Sequence, residues 1–402
     1  MYVLGLDVGG TSSRALLLDA SGRRAGYGKA PGGNPAAHGN AVAVANIGRA
    51  LELALHGIDP GLVAGAVIGL AGGGALDRLV FDPMWAAAGL RVPPRLTGDL
   101  GIAFAAGTAE PRGTALIAGT GAIAARIEDG EPVVIADGLG WLLGDRGSGF
   151  WLGREAAGAA ARALSRGEAG GGLTRLVTAA LLEGETAGTG TGFGFGFGIG
   201  EMGGGGAGAA DTVGPAGVAG SAGTAGTGGS AGSVGSAGPV GSVGSAGPVG
   251  SAGSAGSVEE MRALAIRLVV RAQSRPPLEL ARLAPLVSRA AVEGDPAALE
   301  IVSTAARLLC ETVAEVREAG ETSPIVLAGS VLTSEGPVAS AVRERLGPST
   351  VLAGDGAGAA AWLAGRKAFG WDPATAARLH ARVVSGDQPG PFRATGPVPR
   401  PM

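Results

Sequence analysis

The stretch VLGLDVGGTSSRALLLD, residues 3–19, contains the pattern that decides how the chain begins to fold. An apolar run contains Asp7, two glycines follow at Gly9 and Gly10, and a second apolar run begins after Thr11. This pattern predicts a strand, a tight turn and a second strand. It is not a dinucleotide-binding fingerprint, because such a motif opens a helix and RALLLD is strand-like.

The glycines of this turn allow backbone N–H groups to approach phosphate oxygens closely, and Thr11 adds a hydroxyl donor. Asp7, at the end of a buried strand, is a candidate to hold magnesium through water, because magnesium favours a carboxylate together with nucleotide oxygens. Taken alone, the turn is equally compatible with an ordinary hairpin.

The pattern occurs a second time in LIAGTGAIAAR, residues 116–126, where Gly119, Thr120 and Gly121 form the turn between two apolar runs. Two such hairpins could clamp a triphosphate between them. Phosphoryl transfer depends mostly on positioning and charge neutralisation, so a clamp of this kind suits that reaction. The repeat is the strongest clue to the organisation of the chain.

Two aspartates near predicted helix starts are candidates for chemistry or for capping. Asp99 lies between a short apolar strand and a helix, where it could take a proton from an attacking hydroxyl or could cap the helix. Asp145 is equally ambiguous, because either it or Ser148 could cap the helix that starts near Phe150. Local sequence leaves both alternatives open.

Asn34 and His38 lie in GGNPAAHG, residues 32–39. An asparagine before a proline usually makes a turn. A histidine in such a place is more often a surface or turn residue than a catalytic base. The residues alone therefore assign neither side chain to chemistry.

Length and composition bound the possible functions. The 402 residues suffice for two domains, and a formal net charge of -3 predicts no nucleic-acid footprint and no basic membrane anchor. The single cysteine, Cys310, excludes an internal disulfide and a thiolate-rich metal site built from this chain. The first apolar run carries Asp7 and lacks a basic flank, so we expect no signal peptide. The chain is expected to be cytoplasmic, with no membrane partner.

Much of the glycine, 78 residues in all, lies in one segment. Residues 184–257 are rich in Gly, Ala and Ser, with glycine at every third position from Gly214 to Gly256. The period matches collagen, but proline is sparse, so a flexible linker is favoured. Because longer connections add little closure entropy, we predict a disordered insertion within a domain.

The order of DVGGT, GGNP, LAGGG, TGD, LIAGTG, GLGWLLGDRGSGFWLG, a GDPAA helix and LAGSV resembles the N-acetylglucosamine kinases of the BadF/BadG/BcrA/BcrD ATPase family. The resemblance covers residues 1–365 apart from the insertion. It implies an α/β fold with two ribonuclease-H-like, actin-like ATPase domains that flank a nucleotide cleft. We expect these domains at 1–109 and 110–370, followed by a largely disordered tail at 371–402.

The resemblance also implies roles for individual residues. Asp99 falls on the catalytic base that deprotonates the sugar 6-hydroxyl, and Asp7 on the residue that serves magnesium. The positions that fall on ATP-binding motifs are Gly9, Gly10, Thr11, Gly119, Thr120, Gly121, Gly329 and Ser330. The positions that fall on sugar-binding motifs are Asn34, Gly72, Gly73, Gly138, Gly140 and Asp145.

The implied activity is transfer of the ATP γ-phosphoryl group to an amino sugar, with ATP and Mg²⁺ as cofactors and a homodimer as the assembly. Glucosamine or another hexosamine is the alternative substrate, and a non-catalytic nucleotide-binding regulator is the alternative function. An activase of acyl-CoA reductases is disfavoured, because its iron–sulfur cluster needs several thiolates.

Three positions depart from the family pattern. The usual GGWG reads Asp137-Gly138-Leu139-Gly140, with Trp141 one residue further on, and the serine after GTG is Ala122. The usual GDEGS reads GDRGS, which places Arg146 near the expected sugar site. These departures affect which sugar is expected as the substrate and whether catalysis is retained. They leave the ATP motifs largely unchanged.

Overall fold

The computed structural model of the protein describes residues 1–182 and 257–385. The predicted insertion, apart from Ser257, and the end of the predicted tail lie outside these residues. Within the described residues, no helix is both long and apolar enough to cross a membrane.

The first half of the chain forms a five-stranded sheet with the order β3-β2-β1-β4-β5. β1 pairs antiparallel with β2, β2 pairs antiparallel with β3, and β1 and β4 are parallel, as are β4 and β5. The strands are β1 (Tyr2–Val8), β2 (Ser12–Asp19), β3 (Arg24–Pro31), β4 (Val63–Leu70) and β5 (Arg95–Thr97). The predicted strand–turn–strand at the start of the chain is thus the β1–β2 hairpin.

The second sheet repeats this arrangement, with the order β8-β7-β6-β9-β10. Its strands are β6 (Arg112–Ala118), β7 (Ala122–Glu128), β8 (Glu131–Asp137), β9 (Ile325–Ala328) and β10 (Thr350–Leu352). β6 pairs antiparallel with β7, and β7 pairs antiparallel with β8. β9 pairs parallel with β6 and with β10. The duplication predicted from the two glycine turns is therefore present as two sheets of equivalent topology.

Fourteen α-helices and three 3₁₀ helices connect or follow these strands in the described residues. The α-helices of the first half are α1 (Pro35–His38), α2 (Asn40–Ala54), α3 (Arg78–Ala87) and α4 (Asp99–Gly107). Those that follow the second hairpin are α5 (Gly140–Leu143), α6 (Gly149–Ser165), α7 (Gly172–Leu182), α8 (Val258–Gln273), α9 (Ala284–Val292), α10 (Pro296–Ala314), α11 (Ser330–Thr333), α12 (Pro337–Leu346), α13 (Gly356–Ala368) and α14 (Pro373–Val384). The 3₁₀ helices are Pro60–Leu62, Gly73–Ala75 and Pro277–Leu283.

Alternation along β1 sends its side chains into two different cores. Leu4 and Leu6 pack with α2 and α3 on one face of the first sheet. Val3 faces the other way, where α4, α13 and α14 pack. Because Gly5 and Asp7 share the direction of Val3, they face α13.

Helix α4 packs against both sheets. Its Ile102 and Ala105 lie in the core formed with Val3 of the first sheet, whereas its Leu100 and Phe104 pack on strands β6, β7 and β9 of the second. The helix that begins at the candidate base is therefore held by two separate apolar cores.

Helix α13 approaches β1 closely because Gly5 has no side chain. A Cβ at Gly5 would lie 2.0 Å from the backbone nitrogen of Ala361. Helix α13 thus packs on the first sheet, which corrects the expectation that residues up to 370 follow the second domain. The boundary near residue 109 falls between α4 and β6 and stays a prediction.

Part of the predicted tail is an ordered helix, α14, and the expectation that the tail is largely disordered stays a prediction. Asp372 caps this helix through the backbone N–H of Thr375. His380 Nε2 lies 2.7 Å from the carbonyl oxygen of Ala105 in α4, and the indole of Trp362 in α13 donates to Ala376. These contacts order α14 against its two neighbours.

Candidate functional site

The first glycine turn, between β1 and β2, is fixed by backbone hydrogen bonds and leaves one face open. The N–H of Gly9 donates to the carbonyl of Ser12 at 3.0 Å, and the N–H of Gly33 donates to the carbonyl of Gly9 at 3.1 Å. A Cβ at Gly10 would meet nothing within 4 Å. The turn therefore offers free space where the sequence predicts a phosphate group.

Asp7 lies beside this turn at the amino end of α13. A Cβ at Gly356, the first residue of α13, would lie 2.7 Å from Asp7 Oδ2, so only glycine leaves room for the carboxylate. Arg14 Nη1 stands 3.8 Å from the same oxygen. The Asp7 side chain is 33% exposed, which leaves part of it accessible to a ligand.

The pKa of Asp7 is raised from 3.8 to about 6, chiefly because the surrounding protein removes solvation from its charged form. Arg14 opposes this shift, and the negative charges of Asp355 and Asp99 add to it. The charges of two other carboxylates therefore act on Asp7. Among the described residues, no group of three or more His, Cys, Asp or Glu side chains is arranged to hold a metal ion by itself.

Replacing Asp7 by Asn is expected to stabilise the ligand-free protein above pH 6 and to leave it unchanged near pH 4. Because the folded protein holds the proton of Asp7 more tightly than the unfolded chain, the stability contributed by this group falls as the pH rises from about 4 to about 6. The Asp7→Asn variant has no ionisable group at this position, so its stability does not fall over this pH range. Thermal unfolding of wild type and variant at pH 4 and pH 7.5 measures the difference. An equal difference in unfolding temperature at both pH values would contradict the prediction.

Asp355 is a residue of this region that the sequence analysis missed. It caps α13 by accepting a hydrogen bond from Ala357 N–H, and Arg24 donates to its other oxygen at 2.8 Å. The available signal was an aspartate directly before GAGAAA, a small-residue helix start. Its partner Arg24 lies in β3, which no local pattern reveals.

Asp99 is the first residue of α4, and the N-cap position belongs to Gly98, which makes no side-chain hydrogen bond. Asp99 therefore lies in the first turn of α4 and not at the N-cap position. Burial raises the pKa of Asp99, opposed by its hydrogen bonds with the backbone N–H groups of Leu100 and of Asp99 itself. A carboxylate with a raised pKa is a better proton acceptor than an exposed one.

The second glycine turn, between β6 and β7, is built like the first. Gly119 N–H donates to the carbonyl of Gly121 at 2.9 Å, and Gly149 N–H, at the start of α6, donates to the carbonyl of Gly119 at 2.7 Å. Phe150 N–H donates to the carbonyl of Thr120 at 3.1 Å. The amino end of α6 thus holds this turn in place.

A cavity of about 310 Å³ opens beside the second turn. It brings together Gly119 and Thr120 with Ser330, three of the positions that the sequence places on ATP. Gly329 lies against the same turn, since a Cβ there would be 2.4 Å from the carbonyl oxygen of Ala118. The cavity is lined by Gly119, Thr120, Gly149, Leu152, Ala281, Ala284, Pro285, Ser288, Ser330, Val331, Ser334, Glu335, Gly336 and Val338.

Asn34 and Gly72, two of the predicted sugar-binding positions, are neighbours. Asn34 caps α1, because its Oδ1 accepts hydrogen bonds from the N–H groups of Ala36 and Ala37 at 2.8 and 3.3 Å. Gly72 has a φ of +68°, and a Cβ there would lie 2.6 Å from Asn34 Oδ1. Gly73 follows as the first residue of a 3₁₀ helix.

The side chain of Asp145 is hydrogen-bonded to the second glycine turn. Its Oδ1 accepts a hydrogen bond from the N–H of Ala122 at 3.0 Å, and a Cβ at Gly121 would lie 2.7 Å from the same oxygen. Burial raises the pKa of Asp145, the hydrogen bond from Ala122 opposes the shift, and the charge of Asp137 adds to it. Ser148 is the residue that caps α6, through the N–H of Trp151, which decides the ambiguity left by the sequence.

Gly138 and Gly140 flank the short connection between β8 and α5, both with positive φ, at 71° and 79°. The carboxylate of Asp137 stabilises this connection by accepting hydrogen bonds from the backbone N–H groups of Asp145 and Arg146 at 2.7 and 2.8 Å. Within the described chain, no hydrogen bond or ion pair joins Gly138, Gly140 or Asp145 to Asn34 or Gly72.

The guanidinium of Arg146 is engaged by acidic partners. Its Nη2 donates to Glu315 in α10 at 2.6 Å, and its Nε lies 3.7 Å from Asp137. Hydrogen bonding to Glu315 raises the pKa of Arg146. This departure from the family pattern is thus matched by Glu315 and supplies no uncompensated charge to a sugar.

Comparison with known proteins agrees with this architecture. A structure from Chromobacterium violaceum, provisionally described as an N-acetylglucosamine kinase, aligns at a TM-score of 0.56 and 20% identity, over 90% of this chain and 98% of the other. One from Porphyromonas gingivalis with the same provisional description aligns at 0.52 and 16% identity, over 94% and 99%. At these identities the likeness shows the fold. No curated protein matches the chain.

The α/β fold with two actin-like halves, expected from the sequence, is confirmed by these structures and by the two equivalent sheets. The family model described as "BadF/BadG/BcrA/BcrD ATPase family" matches residues 4–351, which include both glycine turns and Asp99. The chain belongs to the BadF/BadG/BcrA/BcrD ATPase family.

Proposed function

We propose that the protein is an ATP-dependent sugar kinase that transfers the γ-phosphoryl group to the 6-hydroxyl of an amino sugar, with N-acetylglucosamine as the substrate. The observation that carries the proposal is the pair of glycine turns: the first has an open face at Gly10 beside the carboxylate of Asp7, and the second lines a cavity together with Ser330. A metal-bound phosphate and a proton acceptor are needed in the same region for phosphoryl transfer to a hydroxyl.

The nucleotide is expected to use the cavity beside the second turn. Ser330 and Gly329 would contact the adenosine, while Gly119, Thr120 and Gly121 would contact phosphates. The volume of about 310 Å³ lies at the lower end of the range for small-molecule sites. Glycine at these positions leaves backbone N–H groups accessible to phosphate oxygens.

The first turn is expected to contact the terminal phosphates. The open face at Gly10 supports this assignment, together with the accessible part of Asp7. One carboxylate suits magnesium, which usually keeps several waters and takes its remaining ligands from the phosphates. Bound magnesium would neutralise charge on the phosphate chain, and Asp7 would orient it through water.

Asp99 would accept the proton of the sugar 6-hydroxyl as the phosphoryl group is transferred. Its raised pKa favours that role, since a stronger base draws the proton more effectively in the transition state. Asn34, Gly72 and Gly73 would contact the sugar. Because Asn34 Oδ1 already accepts two backbone hydrogen bonds, its amide NH₂ group is the part left to donate to a sugar hydroxyl.

A coupled assay of ADP release over a panel of sugars tests the proposal. N-acetylglucosamine is expected to stimulate ADP release more than glucosamine, N-acetylmannosamine or glucose at equal concentrations. Preference for glucosamine would retain the kinase and change the substrate. Tight ATP binding without stimulation by any sugar would contradict the proposal and favour the nucleotide-binding regulator.

A further inference from the structure

His38 makes a contact with the first glycine turn that the sequence did not suggest. It is the last residue of α1, the short helix capped by Asn34, and its Nε2 lies 2.7 Å from the carbonyl oxygen of Gly10. A carbonyl oxygen only accepts hydrogen bonds, so Nε2 must carry the proton in this contact. His38 therefore donates to the turn whether its ring is neutral or charged.

This hydrogen bond fixes the direction of one peptide group. In a trans peptide the C=O and the following N–H point to opposite sides. When the carbonyl of Gly10 is held by His38, the N–H of Thr11 points away from His38. Within the described residues, that N–H has no hydrogen-bond acceptor, so it is free to donate to a ligand.

The hydrogen bond from His38 adds to a restraint that the turn supplies only in part. Rotation of the peptide between Gly10 and Thr11 changes ψ of Gly10, which glycine tolerates at low cost, and φ of Thr11, which the β-branched side chain restricts. In the rotated form the carbonyl oxygen of Gly10 would face an incoming phosphate and repel it.

Gly32, which has no side chain, leaves room for the contact between His38 and Gly10. A Cβ at Gly32 would lie 2.1 Å from the carbonyl oxygen of Gly10 and 2.8 Å from His38 Nε2, so any larger residue would displace the contact. Gly33 N–H holds the carbonyl of Gly9 at 3.1 Å. Consecutive carbonyls of the turn are thus each held by a donor from residues 32–38.

We propose that His38 is a positioning residue that holds the Gly10–Thr11 peptide with its N–H directed at the terminal phosphates of the nucleotide. The inference rests on the proposed function for the identity of the ligand. It assigns His38 no contact with the reacting atoms. It predicts a specific defect, in which recognition of the terminal phosphates weakens while recognition of the adenosine part is retained.

Calorimetric binding of ATP and of AMP to wild type, His38→Ala and His38→Gln tests the proposal. The loss of one hydrogen bond to the turn is expected to weaken ATP binding by about 3- to 10-fold in His38→Ala. AMP binding is expected to stay unchanged, because AMP lacks the terminal phosphates. His38→Gln keeps an N–H donor of similar reach and is expected to recover most of the ATP affinity.

His56→Ala is the matched control, since His56 is an exposed histidine at the end of α2, away from the turn. It is expected to bind ATP and AMP like wild type. Equal ATP affinity in His38→Ala and wild type would overturn the proposal, as would an equal loss for ATP and AMP. Because binding is measured without sugar, a wild type that binds ATP but phosphorylates no sugar overturns the kinase proposal alone.

Discussion

Replacing Asp99 by Asn is expected to lower kcat by about 10²–10⁴-fold while ATP binding stays close to that of wild type. Asparagine keeps the size of the side chain and its ability to accept backbone hydrogen bonds at the start of α4. It cannot accept the proton of the sugar hydroxyl. Steady-state kinetics with the preferred sugar, together with calorimetric ATP binding, measure the two effects separately.

Asp372→Asn is the matched control, because it makes the same substitution at the start of a helix. Asp372 caps α14, and asparagine caps helices about as well as aspartate. The control is expected to retain wild-type turnover. If Asp99→Asn retained turnover within a few fold of wild type, Asp99 would have no part in the mechanism.

Replacing Gly5 by Ala is expected to lower the free energy of unfolding by about 3 kcal/mol or more, the upper end of the range for overpacking in a core. The new Cβ would lie 2.0 Å from the nitrogen of Ala361 and 2.3 Å from the carbonyl oxygen of Ala357. Both are backbone atoms of α13, so no side chain can rotate away. Urea unfolding monitored by circular dichroism gives the measurement.

Two further glycines calibrate the Gly5 result. A Cβ at Gly65, in β4, would lie 3.0 Å from the Cβ of Ala368 in the same helix, so Gly65→Ala is expected to be less destabilising. A Cβ at Gly74 would meet nothing within 4 Å, and Gly74→Ala is expected to change the unfolding free energy little. Equal stabilities for all three variants would show that α13 does not press on β1 as described.

The repeated fold could be predicted because its signals are local. Each half begins with an apolar run, a glycine turn and a second apolar run, and both became the central hairpins of their sheets. The helix expected at the GDPAA motif is α10, and Asp295 of that motif accepts a hydrogen bond from Ala298 N–H at its start. Caps and tight turns are set by residues within a few positions of one another.

The features that the sequence did not predict depend on contacts between distant residues. The return of α13 to the first sheet depends on Gly5 in β1 admitting a helix more than three hundred residues later in the chain. Asp145 was assigned to the sugar by resemblance, yet its carboxylate is bonded to Ala122 in the second turn. His38 is exposed, as the sequence suggested, but its contact with Gly10 was not predicted, because Gly10 belongs to another loop.

The double attachment of α4 has a mechanical consequence. A helix whose two sides are embedded in different apolar layers cannot follow one layer without sliding against the other. Any change in the angle between the two halves must therefore shift the carboxylate of Asp99 relative to at least one glycine turn. If Asp99 is the base, as proposed, the distance from its carboxylate to the sugar hydroxyl would depend on that angle.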